Sequence, residues 1–188
     1  MKIYKVKDEY IDKLKKTDNK IPHNKNKKRP YAGVVLKVNG LAYFAPLSSP
    51  KPKHLKMKTA KDFIKIDNGK LGAINLNNMI PIQNIKENAQ LIDLVPNSLD
   101  NKENTQYKLL LNKQNNWINN NVDSIEMKAE KLYHSYVDNT LNLRVKERCV
   151  DFKAIEKFLE NEKNIFATKQ PKIKLSSIAA LQQKQNKQ

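Results

Sequence analysis

The first residues, Lys2-Ile3-Tyr4-Lys5-Val6, alternate polar and apolar side chains, which is the period of a half-buried strand. Asp8 then stands where it can cap a short helix, because Tyr10, Ile11 and Leu14 share one face and Asp18-Asn19 ends the run. Residues 19–30 hold Pro22, Pro30 and many lysines and asparagines, and read as a basic loop. Tyr31 to Val38 is a β-rich run, Leu41 to Ala45 is its return, and Asn39-Gly40 between them is a hairpin turn whose two central residues both need positive φ. Pro46 is expected to stop the second strand, leaving Leu47 to His54 as an irregular, exposed loop. Further strands are expected at Phe63–Ile66, Leu71–Ile74, Met79–Ile82 and Leu91–Val95, with a turn at Asp67-Asn68-Gly69-Lys70. From Thr105 to Val137 proline and glycine vanish, and apolar residues recur at helical spacing. Two helices joined near Asn119-Asn120-Asn121 are expected there. Asp151 is placed to cap a last amphipathic helix carrying Phe152, Ile155, Phe158 and Leu159. The pattern predicts an α+β fold: a compact, mainly antiparallel β-sheet from the N-terminal half, covered by C-terminal helices. It places one domain over residues 1–165 and a basic, Gln- and Lys-rich tail over 166–188.

Charge changes this picture more than composition does. The 188 residues carry a formal net charge of +17, and only 39% of them are hydrophobic. Residues 1–60 hold 16 Lys and Arg against 4 Asp and Glu, and residues 31–60 contain no acid at all. Such a surplus attracts polyanions, and nucleic-acid phosphates are the usual partner. A membrane surface would favour a basic amphipathic helix, whereas this basic stretch is broken by prolines. No run approaches the ~18 apolar residues of a membrane span. The basic start, Met1 to Lys7, has no apolar stretch after it and is not read as a secretory signal. Cys149 is the only cysteine, so an internal disulfide and a multi-cysteine zinc site are excluded. A cytoplasmic protein is expected.

Several kinds of chemistry are missing. The chain has no glycine-rich phosphate loop, no His-Glu-x-x-His motif and no acidic cluster suited to magnesium. If it cuts RNA, it is expected to do so without a metal or other cofactor, through attack of the substrate's own 2′-hydroxyl on the adjacent phosphate. That reaction needs groups that move protons and cations that stabilise the pentavalent phosphate. Ser48, Ser49, Lys51, Lys53 and His54 supply such groups within one short segment stiffened by Pro46, Pro50 and Pro52. The same residues also suit an ordinary solvated loop, and chemistry alone leaves both readings open. Tyr10 is either a core tyrosine or a phosphate-contacting hydroxyl, and Arg29 either a solvated charge or a planar phosphate fork. His134 reads as a surface residue, Trp117 as core and Cys149 as a small hydrophobe.

The order of several motifs resembles the ToxN/AbiQ family, the toxins of type III toxin–antitoxin systems. The motifs are Met1-Lys2-Ile3-Tyr4 with Tyr10, Gly33-Val34-Val35-Leu36, Tyr43-Phe44-Ala45-Pro46-Leu47-Ser48-Ser49-Pro50-Lys51, Leu71-Gly72-Ala73-Ile74-Asn75-Leu76 with Met79-Ile80-Pro81-Ile82, and Tyr107-Lys108 with Lys113-Gln114. The resemblance implies a twisted antiparallel sheet like that of the Kid/MazF toxins, and metal-independent endoribonuclease activity. It makes Ser49 the central hydroxyl, Ser48 its neighbour and Lys51 the cation on the phosphate. Tyr10 matches a site tyrosine, and His54 falls at a position that looks shared. Arg29 stands where a lysine is usual, a change that keeps the charge and alters its reach. The implied partners are target RNA and an antitoxin RNA, a repeat-derived pseudoknot in a closed protein–RNA assembly, with no protein antitoxin and no membrane. Lys28, Lys53, Lys56, Lys58 and Lys61 are expected along the RNA-binding surface. Two rivals remain: a non-catalytic nucleic-acid-binding protein, and a MazF-like ribonuclease with a protein antitoxin.

Overall fold

A computed structural model of the chain describes residues 1–24, 29–58 and 60–169, with side chains through residue 164. Its centre is a seven-stranded sheet in which every pairing is antiparallel. The strands are β1 (Lys2–Val6), β2 (Pro30–Val38), β3 (Leu41–Ser48), β4 (Ile64–Ile66), β5 (Gly72–Ile74), β6 (Ile80–Ile82) and β7 (Ala89–Leu91). Their order is β4-β5-β3-β2-β1-β7, with β6 paired to β3 beside β5. The hairpin of β2 and β3 is the spine. Asn39 and Gly40 have φ of 51° and 70° at its turn, the left-handed conformation that the Asn-Gly pair accepts at little cost. Five consecutive residues of β3, Tyr43 to Leu47, are buried, as befits a strand covered on both faces.

Pro46 does not end β3, which continues to Ser48. The strand exchanges partners there: Ala42 to Phe44 pair with β6, and Leu47 and Ser48 with β5. The Pro46 carbonyl accepts from Asn75 N on this same edge, so the missing N–H falls in the gap between two ladders and costs no hydrogen bond. The expected irregular loop is correspondingly short, since Pro52–Lys56 form helix α2 and Pro52 takes the N-terminal position that tolerates proline. (The label α1 belongs to Asp8–Lys15.) The strand expected at Leu91–Val95 lies earlier. Helix α3 (Ile85–Asn88) leads into β7, Tyr4 pairs with Leu91, and the Asp93 side chain folds back onto Val95 N and ends the ladder.

In the C-terminal half, α4 (Lys102–Asn119) and α5 (Val122–Val137) meet at the expected break, and α6 (Leu143–Lys146) and α7 (Phe152–Lys169) follow. Asn101 caps α4 by accepting from Asn104 N at 2.8 Å, and Asp151 caps α7 by accepting from Ala154 N at 3.0 Å. Asp8 is instead the first residue of α1, and its carboxylate accepts from Asn24 Nδ2. Tyr43, Tyr133, Tyr136 and Phe152 form one aromatic cluster. The Glu156 carboxylate accepts from the hydroxyls of Tyr43 and Tyr133 and from Asn39 Nδ2, tying the hairpin to the helices. Met1–Glu156 form one compact unit, and Lys157 begins a second, whose described part is the remainder of α7. The residues expected as a tail therefore begin as helix through Lys169, and those beyond it lie outside the described residues. No helix among the described residues is long and apolar enough to cross a membrane.

Candidate active site

β3 carries the key segment to the edge of an open cleft of about 730 Å³. Ser48, Ser49 and Lys51 line it. Ser48 is the last residue of the strand and half-buried, whereas Ser49 is exposed, because the chain leaves the sheet between them. One wall bears Lys5 of β1 and Arg29-Pro30 at the start of β2; strand pairing sets this proximity, since Lys5 lies opposite Pro30, and Tyr31 opposite Pro46. The other wall is the first half of α4, with Glu103, Asn104, Tyr107 and Lys108. Four cations thus line the cleft with the two serines, each from a different element or connection, and one of them, Lys108, is paired with Asp100.

The segment is held from behind. Asn75 Nδ2 donates to Ser48 Oγ at 2.9 Å and to Pro46 O at 3.1 Å. Gln114 of α4, 1% exposed, donates from Nε2 to Leu71 O at 2.6 Å and Ser48 O at 3.3 Å. Gly72 has φ of +104°, and a side chain there would strike the Ser48 carbonyl. Prolines on both sides restrict Lys51, which adopts extended backbone just before α2. Arg29 is half-buried and donates from Nε to His23 O at 3.0 Å, which anchors its fork at the cleft wall. On the opposite wall Lys108 reaches Asp100 at 2.7 Å. The Lys108 side chain, and then Asn97 N, hold the Asp100 carboxyl below the usual carboxylate range.

The structure therefore gathers Ser48, Ser49, Lys51 and Arg29, four of the six residues read as catalytic. Tyr10 and His54 are placed elsewhere. Tyr10 is 4% exposed on the inner face of α1, where its hydroxyl donates to Pro81 O and accepts from Gln83 N, both at 3.0 Å. His54 is 5% exposed on α2 and does not line the cleft. Burial first, and then Lys53 and Lys51, push its ring below the ordinary histidine range. Lys53, Lys56, Lys58 and Lys61 are exposed on and after α2, outside the cleft lining, and Lys28 lies outside the described residues. Sequence reasoning assigned no role to Lys5, Lys108, Asn75 or Gln114, whose approach depends on strand register and helix docking. The only available signal was that Lys108, Asn75 and Gln114 stood inside family motifs. His134 is exposed, Trp117 is half-buried, and Cys149 is buried, with burial raising its thiol to about 12. Among the described residues no group of three or more His, Cys, Asp or Glu is placed to hold a metal ion.

This geometry accords with the comparisons. Residues 2–160 match the family described as toxin ToxN of type III toxin–antitoxin systems. The chain is 34% identical to an endoribonuclease ToxN of Bacillus thuringiensis subsp. kurstaki, covering 70% of this chain and 66% of that protein. It is 37% identical to an endoribonuclease ToxN of Pectobacterium atrosepticum, covering 70% and 79%. Among solved structures, a type III toxin inhibited by a non-coding RNA pseudoknot superposes with a TM-score of 0.69 at 30% identity, over 86% of this chain and 97% of that one. AbiQ, a lactococcal anti-phage endoribonuclease, also gives 0.69, at 26% identity over 89% and 98%. With nearly its whole described length matched in both sequence and fold, the chain belongs to the ToxN family of type III toxin–antitoxin toxins.

Proposed function

We propose that the protein is an endoribonuclease toxin that acts in the cytoplasm in phage defence and is restrained by an RNA antitoxin. The observation that carries this reading is the cleft itself, where Ser48 and Ser49 lie among Lys5, Arg29, Lys51 and Lys108. An RNA phosphate entering there meets hydroxyl donors and cations in one cleft. The 2′-hydroxyl of the substrate attacks the adjacent phosphorus, the bond to the 5′-oxygen breaks, and a 2′,3′-cyclic phosphate and a 5′-hydroxyl result. The 2′-proton leaves to a base and the 5′-oxygen gains a proton. The lysines and Arg29 offset the charge that builds on the phosphoryl oxygens. The same basic surface suits a folded antitoxin RNA, which the toxin cuts from its repeats and then retains as a pseudoknot in a closed assembly. The ToxN relatives are endoribonucleases, and one solved neighbour is a type III toxin inhibited by a non-coding RNA pseudoknot, which supports this reading.

The test is cleavage of a repeat-containing RNA by purified protein in EDTA. Cyclic phosphate ends are expected, and Ser49→Ala is expected to abolish cutting while leaving RNA binding nearly intact. A strict magnesium requirement would refute the mechanism, and tight binding without any cleavage would favour a purely RNA-binding protein.

A further inference from the structure

The arrangement behind Ser48 determines which way its proton points. Asn75 Nδ2 faces two oxygens, Pro46 O at 3.1 Å and Ser48 Oγ at 2.9 Å. Pro46 O is a carbonyl and can only accept, so the amide end facing it must be the nitrogen; an oxygen at that position would meet an oxygen. The orientation of the amide is thus set by the backbone of β3, independently of the serine. Both Nδ2 hydrogens are then committed, one to each oxygen. An amide nitrogen cannot accept, so Ser48 Oγ is the acceptor in this pair, and its own hydrogen must point away from Asn75. Ser48 lines the cleft, and no acceptor among the described residues takes that hydrogen.

The serine's main chain is fixed just as firmly. Its carbonyl accepts from buried Gln114, it pairs with Ala73, and the absence of a side chain at Gly72 allows β5 to approach so closely. We propose that Asn75 is a positioning residue that holds Ser48 Oγ as an acceptor and thereby commits the Ser48 hydroxyl to donating into the cleft, to a non-bridging oxygen of the scissile phosphate. This rests on the endoribonuclease reading above. It divides the labour between adjacent serines: Ser48 is a pre-aimed donor and not the base that removes the 2′-proton. A donor aimed before the substrate arrives needs no reorganisation as charge develops on the phosphoryl oxygens, so its contribution falls on kcat more than on KM.

A double-mutant cycle on RNA cleavage, read as kcat and KM separately, tests the assignment. Ser48→Ala is expected to lower kcat about 10²–10³-fold, the usual loss for one donor to a developing oxyanion. Asn75→Ala is expected to lower it by roughly a hundredfold, as for a misaligned reacting group, with RNA affinity little changed. Added to Ser48→Ala, the Asn75→Ala change is expected to cost far less than it does alone, because the hydroxyl it aims is gone and only its bond to Pro46 O is left to lose. Asn75→Asp is the second probe: a carboxylate accepts the Ser48 proton and turns it out of the cleft, so kcat is expected to fall to the Ser48→Ala level. If Asn75→Ala melts below the assay temperature, the cycle is read at a temperature below the melts of all its members. Losses that multiply across the cycle, or an Asn75→Asp protein that cleaves at the wild-type rate, would overturn the proposal while leaving the endoribonuclease reading intact. A wild-type protein that binds RNA without cutting it would remove both.

Discussion

Burial sorts the polar residues of this protein into those that can meet RNA and those that serve the fold. Ser48 and Ser49 are adjacent, yet one is clamped at a strand end and the other stands free in the cleft. The buried Tyr10 hydroxyl donates to Pro81 O and accepts from Gln83 N, contacts that fasten α1 to the chain around β6. His54 makes a pH prediction. Its Nδ1 is buried without a hydrogen-bond partner, and burial with two nearby lysines lowers its proton affinity. The unfolded chain takes up that proton near pH 6.5, and the folded chain only at lower pH. Stability from this residue is therefore complete above about 6.5 and declines as pH falls through that value toward the folded one. Thermal melts from pH 7.5 to 5 are expected to show this loss in the wild type and a smaller one in His54→Gln; equal slopes would show that another group is responsible.

Among the elements, β3 and α4 define the site between them. β3 brings Ser48 to the cleft because its late exchange of β6 for β5 lets the strand run past Pro46. Helix α4 supplies Tyr107 and Lys108 to one wall and, two turns later, Gln114 to the back of the serine segment. Its start is exposed and depends on one side chain, Asn101, for capping. Asn101→Ala is expected to cost about 1 kcal/mol and to lower Tm by roughly 2–4 °C, measured by calorimetry or circular dichroism. An unchanged Tm would mean that docking alone holds the first turn. The hairpin, the two-helix break and the last helix were legible because turn chemistry and helical period are local signals. α2, α3 and α6 are five residues or shorter, too short for a periodic pattern, and went unread.

For the whole molecule, the charge of +17 predicts strongly salt-dependent binding, since each phosphate contact releases a counterion. Lys53 and Lys56 are exposed on α2, which follows Lys51 of the cleft. Replacing both with Gln is expected to reduce the slope of log K against log salt for single-stranded RNA by about 1.4, or 0.7 for each lost contact. A slope equal to that of the wild type would route the RNA along another face. The sequence by itself determined the basic N-terminal half, the Asn-Gly hairpin, the α+β order of elements and the family motifs, because each of these is carried by neighbouring residues. Only the tertiary structure decided which charges share the cleft. Lys5, Arg29, Lys51 and Lys108 are far apart along the chain, and antiparallel register with the docking of α4 brings them together. The same holds for Asn75 and Gln114: the hydroxyl and the carbonyl of Ser48 are held by partners 27 and 66 residues away, a relation that no local pattern encodes.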